Sequence, residues 1–230
     1  YELYVGNANG TGQPRHIKID GGSGTYQHLK WSPDARHVSF IDSAYSIFIV
    51  DLDSGRTRKV ASNEFFGPEV PISHNWSPDS NWLAYTQNTH GLIQTVHLYS
   101  LAQNRSQQIT DGLAEVSEPV FDPDGKTLYV IASSEAGPVK DWFAQSSLDM
   151  TFKHAIYAIV LARNEPSPLP PEYEVSPADQ PADSSSEPQD QTAKAAGKSK
   201  DKAGKGQQSP AAPITIDFDG LSERIVALPT

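Results

Sequence analysis

One signature recurs along this chain at a constant interval, and it restricts the possible fold more than any other feature. Trp31-Ser32-Pro33-Asp34, Trp76-Ser77-Pro78-Asp79 and Phe121-Asp122-Pro123-Asp124-Gly125 follow one another 45 residues apart. A fixed period of this size marks a repeat architecture, and the strand-built unit of that length is a blade of a β-propeller. The register continues past the signature: Val38, Leu83 and Leu128 occupy one equivalent position, and Phe40, Tyr85 and Val130 another, two residues on. Apolar residues two apart have the period of a half-buried strand. A second apolar strand follows at 47–51, 96–100 and 156–160, then turn formers (Asp53-Ser54-Gly55, Gln103-Asn104), then a short strand at 57–61 or 106–110. Each repeat therefore reads as a four-stranded antiparallel meander. Proline presets the turn, Asp bonds its own backbone and Gly125 supplies freedom of φ, while the Trp or Phe is expected to pack between neighbouring blades.

Composition narrows what such a protein does. The net charge of -10 opposes a nucleic-acid role, because phosphate neutralisation needs clustered Lys and Arg. No apolar run is long enough to cross a bilayer, so no membrane span is expected. The absence of cysteine excludes disulfides and thiolate metal sites but does not choose between cytoplasm and periplasm. Residues 1–5 are already strand-like and match the third strand of a unit, with no initiator Met or signal peptide before them. The chain thus reads as a segment of a longer protein.

The expected organisation is an all-β propeller segment of about four blades, part of a seven-bladed ring. Residues 1–163 supply a partial first blade, two full blades and most of a fourth. In the fourth, the connection between second and third strands is lengthened, and carries Asp141, Trp142 and Phe143. It lies on the face opposite the aromatic turns, where the two aromatics suit either a substrate path, a neighbouring domain or packing under a long loop. Residues 164–212 are rich in Pro, then acidic, then rich in Lys, with Tyr173 the only aromatic. So little apolar surface does not offset the roughly 1 to 2 kcal/mol per residue of ordering entropy, and a disordered insertion at a hairpin tip is expected. Residues 213–230 are read as the delayed outer strand of the fourth blade, at 214–217, and the first strand of the next, at 224–228.

These repeats are WD40-like, of the PD40/TolB type. They resemble the propeller repeats shared by the periplasmic TolB protein, prolyl-oligopeptidase-type enzymes and tricorn proteases. Two segments narrow the resemblance. Ala155-Ile156-Tyr157-Ala158-Ile159-Val160-Leu161, followed by the Pro-rich and acidic stretch from Ser167 to Glu172, is similar to the end of a blade in tricorn-type peptidases. Ile216-Asp217-Phe218-Asp219-Gly220-Leu221-Ser222-Glu223-Arg224-Ile225-Val226-Ala227-Leu228-Pro229 is similar to the segment that resumes the propeller there. The resemblance implies a non-catalytic propeller of a tricorn-like serine peptidase, gating or channelling oligopeptides to a catalytic domain outside this segment. It further implies the remaining blades, PDZ and peptidase domains of the same chain as partners, a homo-oligomeric parent and a cytoplasmic location. A TolB-like interaction scaffold is the alternative, and a prolyl-oligopeptidase-like enzyme a third.

No catalytic, cofactor-binding or metal-ligating residue is assigned, and no cofactor is expected. A G-x-S-x-G elbow is absent; Gly21-Gly22-Ser23-Gly24 is followed by Thr25 and reads as a flexible loop. His28, His37, His74 and His97 lie in or beside expected strands and read as surface or inter-blade residues. Asp51-Leu52-Asp53-Ser54-Gly55 and Asp122-Pro123-Asp124-Gly125 look like the start of a calcium loop, but the distal Glu is missing and turn chemistry accounts for both.

Overall fold

The computed structural model describes residues 2–63, 72–89, 93–135, 153–169 and 212–229. Strands β1 (Leu3–Val5) and β2 (Arg15–Ile17) form a two-stranded sheet. Three four-stranded antiparallel sheets follow. The first runs β3 (Tyr26–Trp31), β4 (His37–Asp42), β5 (Ser46–Asp51), β6 (Thr57–Ser62). The second runs β7 (His74–Trp76), β8 (Trp82–Asn88), β9 (Gln94–Ser100), β10 (Arg105–Gln108), and the third β11 (Glu115–Phe121), β12 (Thr127–Ser133), β13 (Ala155–Val160), β14 (Ile225–Ala227). The sheets are the blades expected from the 45-residue period.

The first and second four-stranded sheets are buried on both faces, so their strand residues divide between two cores, whereas the third contributes to one. Val38, Phe40, Phe48 and Val50 pack with Ile17, Leu3 and Val5 on one side. Their neighbours in sequence, Ile41, Ile47 and Ile49, pack on the other side with Trp76, Leu83, Tyr85 and Tyr99 of the next sheet. The third core joins Ala84, Val96 and Leu98 to Phe121, Leu128 and Ile159. Alternation along a strand sends successive side chains to opposite faces, and in the first two four-stranded sheets both faces find a partner sheet.

The aromatic turns behave as their composition predicts. In the second sheet Ser77 Oγ donates to Asp79 Oδ1 at 2.6 Å, Trp82 N donates to Ser77 Oγ at 2.9 Å, and Ser80 N donates to Ser77 O at 2.9 Å. The residue after each Asp is left-handed: Ala35 at φ 58, Ser80 at φ 62 and Gly125 at φ 74. Only Gly adopts this region without strain. Ala35→Gly is therefore expected to stabilise the protein by about 1 kcal/mol. Gly125→Ala runs the other way and costs more, about 2 kcal/mol, since an added Cβ falls 2.6 Å from Ile214 Cγ1. Urea midpoints of the two variants measure both effects, and equal and opposite shifts would show that the Ile214 contact contributes nothing.

Two expectations are corrected. Trp76 and Phe121 pack between sheets at 8% and 7% exposure, but Trp31 is 52% exposed. The core shared with the strands before β3 takes residues of β4 and β5 and reaches β3 only at Tyr26, leaving Leu29 and Trp31 exposed. The second correction concerns the fourth blade. Its outer strand is β14, which pairs Ala227, Val226 and Ile225 with Tyr157, Ala158 and Ile159. Residues 214–217 are not that strand, and 224–228 do not open a further blade.

Ile214, Ile216 and Phe218 instead seal the boundary between the second and third sheets, with Phe218 5.9 Å from the Trp82 ring. Ile214 N donates to Asp79 Oδ2 at 2.9 Å, and Asp217 N to Leu161 O at 2.9 Å. Gly220, at φ 65, turns the chain into a 3₁₀ turn over Leu221–Arg224, which delivers β14. Arg224 holds this return by donating to the carbonyls of Val160, Leu161, Asp217, Asp219 and Gly220. The tract expected to be disordered lies outside the described residues from 170 to 211, and Asp141, Trp142 and Phe143 lie outside them too.

Candidate functional site

The first strands of the three full sheets, β3, β7 and β11, approach one another at the inner edges of the blades. Two of them are irregular at the same place. The β3–β4 register slips between Gln27 and Lys30, and the β11–β12 register between Ser117 and Val120. Within these bulges His28 sits at φ 52 and Glu118 at φ 50. A bulge re-aims a side chain, and a left-handed non-glycine residue costs on the order of 1–3 kcal/mol, a strain that clusters at ligand sites. His28 and Glu118 are two repeat lengths apart, with Ser73 at the position between.

All three line one cavity of about 400 Å³, together with Lys30, His74 and Asp42. The strand 2–3 turn of the first sheet, through Ser43 and Tyr45, and the entry to β7, through Ile72, complete the wall. It therefore opens on the face opposite the aromatic turns.

Hydrogen bonds tie the inner strands together beneath it. Lys30 Nζ donates to Asn75 Oδ1 at 2.7 Å, and Asn75 Nδ2 donates to Pro119 O at 2.7 Å, so one relay crosses three sheets. Trp76 Nε1 donates to Ser39 Oγ at 2.9 Å and to Lys30 O at 3.2 Å. Burial pulls the Lys30 pKa below its ordinary value, and the Glu118 carboxylate partly restores it. Asp42, buried in the wall, accepts from Ser23 N, Ala44 N and Ser46 N at 2.9, 3.0 and 2.8 Å.

His74 is 1% exposed, and burial pushes its pKa down to about 3, with Lys30 and His28 acting in the same direction. It is a neutral imidazole. The Ser39 backbone stands close enough to favour the cation slightly, yet no described atom meets hydrogen-bond geometry with either ring nitrogen, and Ser73 Oγ is likewise unpaired. The cavity is thus rimmed by separated charges and lined by neutral polar groups.

The remaining sequence candidates do not form a reactive centre. His97 Nε2 lies 3.0 Å from Thr95 Oγ1, but burial holds His97 at about 4, too weak a base to activate a hydroxyl at neutral pH, and its ring stacks on Tyr85. His37 stands 3.6 Å from Asp51 and 6.0 Å from the Trp76 ring, at the boundary of two sheets. Asp51 Oδ1 accepts from Asp53 N, Ser54 N and Ser54 Oγ, and these bonds, those from Ser54 first, hold its pKa below the usual range. That is a closed turn. Asp122 is engaged by Asp124 N and the Tyr129 hydroxyl. The loop through Gly24 rests on the β4–β5 turn, with Thr25 N donating to Ser43 Oγ at 2.8 Å. Among the described residues no group of three His, Asp or Glu side chains is arranged to hold a metal.

The placement of His28, Lys30 and Glu118 around one cavity was missed by sequence reasoning. Stacking the repeats at 45-residue spacing shows His28, Ser73 and Glu118 in one column, polar in all three repeats, where each neighbouring column of the strand has an apolar residue or a proline in at least one.

Comparison with known proteins agrees with this architecture. The family model for the tricorn protease second beta propeller domain matches residues 1–230. A putative tricorn-like protease C-terminal subunit of Sulfurisphaera tokodaii is 25% identical over 74% of this chain and 19% of its own length. A tricorn protease homolog of Saccharolobus solfataricus is 23% identical over 69% of this chain and 14% of its own length. The crystal structure of the tricorn protease superposes with a TM-score of 0.60 at 16% identity, covering 95% of this chain and 18% of the other. The chain therefore spans less than a fifth of the length of each of these proteins.

Proposed function

The chain belongs to the tricorn protease second β-propeller family, and from that premise we propose that it is a non-catalytic gate that passes oligopeptides to a serine peptidase domain elsewhere in its polypeptide. The observation that carries this reading is the cavity at the inner strands. Backbone strain at His28 and Glu118 aims two polar side chains into it from different blades. Unlike the left-handed Ala35 and Ser80, which sit in the aromatic turns, these two residues line one cavity from different blades. The partners that follow from the reading are oligopeptides, further blades, a PDZ and a peptidase domain, and other copies of the whole protein. The proposed compartment is the cytoplasm.

Ser73→Trp tests the gate, because it fills the cavity from the middle repeat. In the whole polypeptide that carries this propeller, kcat/KM for a ten-residue peptide is expected to fall about tenfold, with a short chromogenic substrate changed less than about twofold. An unchanged thermal midpoint secures the comparison. Equal effects on both substrates, or none on the long one, remove the gating role.

A further inference from the structure

We propose that the cavity binds the main chain of an extended peptide, one uncharged peptide group lying between Lys30 and Glu118 with its carbonyl accepting from Lys30 Nζ and its N–H donating to the Glu118 carboxylate. This rests on the reading of the propeller as a peptide gate and adds what the gate recognises. Lys30 carries three donors, and one of them reaches Asn75. Glu118 is near enough to act on Lys30 electrostatically, yet the two form no direct ion pair. A cation and a carboxylate held apart across a partly buried space complement a dipole. A peptide unit has a dipole of about 3.5 D, with acceptor and donor at opposite ends.

Charged guests fit less well. A free carboxylate placed on Lys30 meets Glu118 and the buried Asp42, whereas an ammonium group placed on Glu118 meets Lys30. The oxygens of Asp42 are already satisfied by three backbone N–H groups, so its charge adds repulsion without a vacant acceptor. Ser73 and neutral His74 line the same wall and add no charge of their own. β3 is an edge strand of its sheet, and an edge presents main-chain groups to an extended segment in the way peptide-binding sheets do. A volume of about 400 Å³ lies within the usual range of small-ligand sites. Recognition through the peptide group is indifferent to side-chain identity, as a conduit for mixed oligopeptides requires.

The probe is tetra-alanine blocked by N-acetyl and C-amide groups, compared with the same peptide bearing free ends. Binding is followed by calorimetry and by saturation transfer from the whole polypeptide that carries this propeller. The blocked peptide is expected to bind within about threefold of the free one. Lys30→Met and Glu118→Asn, the latter tolerant of the left-handed backbone, are each expected to weaken it at least tenfold. Lys30→Arg should restore most of the affinity, with thermal midpoints checking that the fold persists. Binding that needs a free carboxylate or a free amine would replace the proposal with capture of a peptide end. Absence of binding by the blocked peptide, or indifference to both substitutions, would overturn it. These outcomes are independent of hydrolysis: a peptide that binds as expected while Ser73→Trp leaves oligopeptide turnover intact would remove the gate and keep the site.

Discussion

Trp76→Ala is expected to lower the unfolding free energy by about 3–5 kcal/mol, the range for removing a buried large aromatic. Trp76 joins two sheets, packed on Ile41, Ile47 and Ile49 of one and Leu83 and Tyr85 of the other. Its indole also donates to Ser39 Oγ and Lys30 O. Trp31→Ala, at the same place in the preceding repeat, is expected to change stability by no more than about 0.5 kcal/mol, as for an exposed position. Trp76→Phe separates the two contributions, keeping much of the packing and losing the indole bonds at a cost of about 1 kcal/mol. Urea midpoints read all three. Comparable losses for Trp31→Ala and Trp76→Ala would show that the face of β3 is covered in solution.

Acidification is expected to have an effect of similar size through His74. Its folded-state pKa of about 3 lies below the ordinary value of 6.5, chiefly because burial disfavours the cation, with Lys30 and His28 adding repulsion. Between those two values the unfolded chain binds a proton that the folded chain refuses. The contribution is therefore fully present above about pH 6.5 and is lost progressively as pH falls toward 3. Over the two units from pH 6.5 to 4.5 the loss is about 2 kcal/mol. His97, held at about 4 by burial, acts in the same direction. Carboxylates titrate in the lower part of this window as well, so the measurement is a difference. The pH slope of the urea midpoint in the unaltered protein is compared with that of His74→Phe, whose slope should be distinctly shallower. Identical slopes would mean that His74 accepts its proton without penalty.

Both effects centre on the contact between the first and second full sheets, and the sequence foreshadows them unequally. The strands around Val38, Phe40, Leu83, Tyr85, Leu128 and Val130 were legible because a two-residue apolar period survives in each repeat. The turn chemistry of Ser77, Pro78 and Asp79 was legible because it is local. The exposure of Trp31 was not, since its tetrapeptide is the same as that around Trp76 and differs only in what lies across from it. Ile214, Ile216 and Phe218 show the same limit in another form. Their alternation suits a strand and equally suits a plug between two sheets, and the packing against Trp82 and Gly125 decides for the plug. The cavity was legible only as a column of three polar residues. Its bulges depend on backbone pairing with β4 and β12, and so does the aim of His28 and Glu118.

By itself the sequence determined the blade, because a 45-residue period, a two-residue apolar alternation and a Pro-Asp turn are properties of the chain at short range. Only the tertiary structure decided which faces of those blades are covered, which segment closes the fourth sheet, and that Lys30, His74 and Glu118 meet. The reason is physical. A side chain's burial, its charge state and its unsatisfied hydrogen bonds are set by what lies opposite, and residues 45 or 90 positions away, brought close by the stacking of the sheets, lie opposite here.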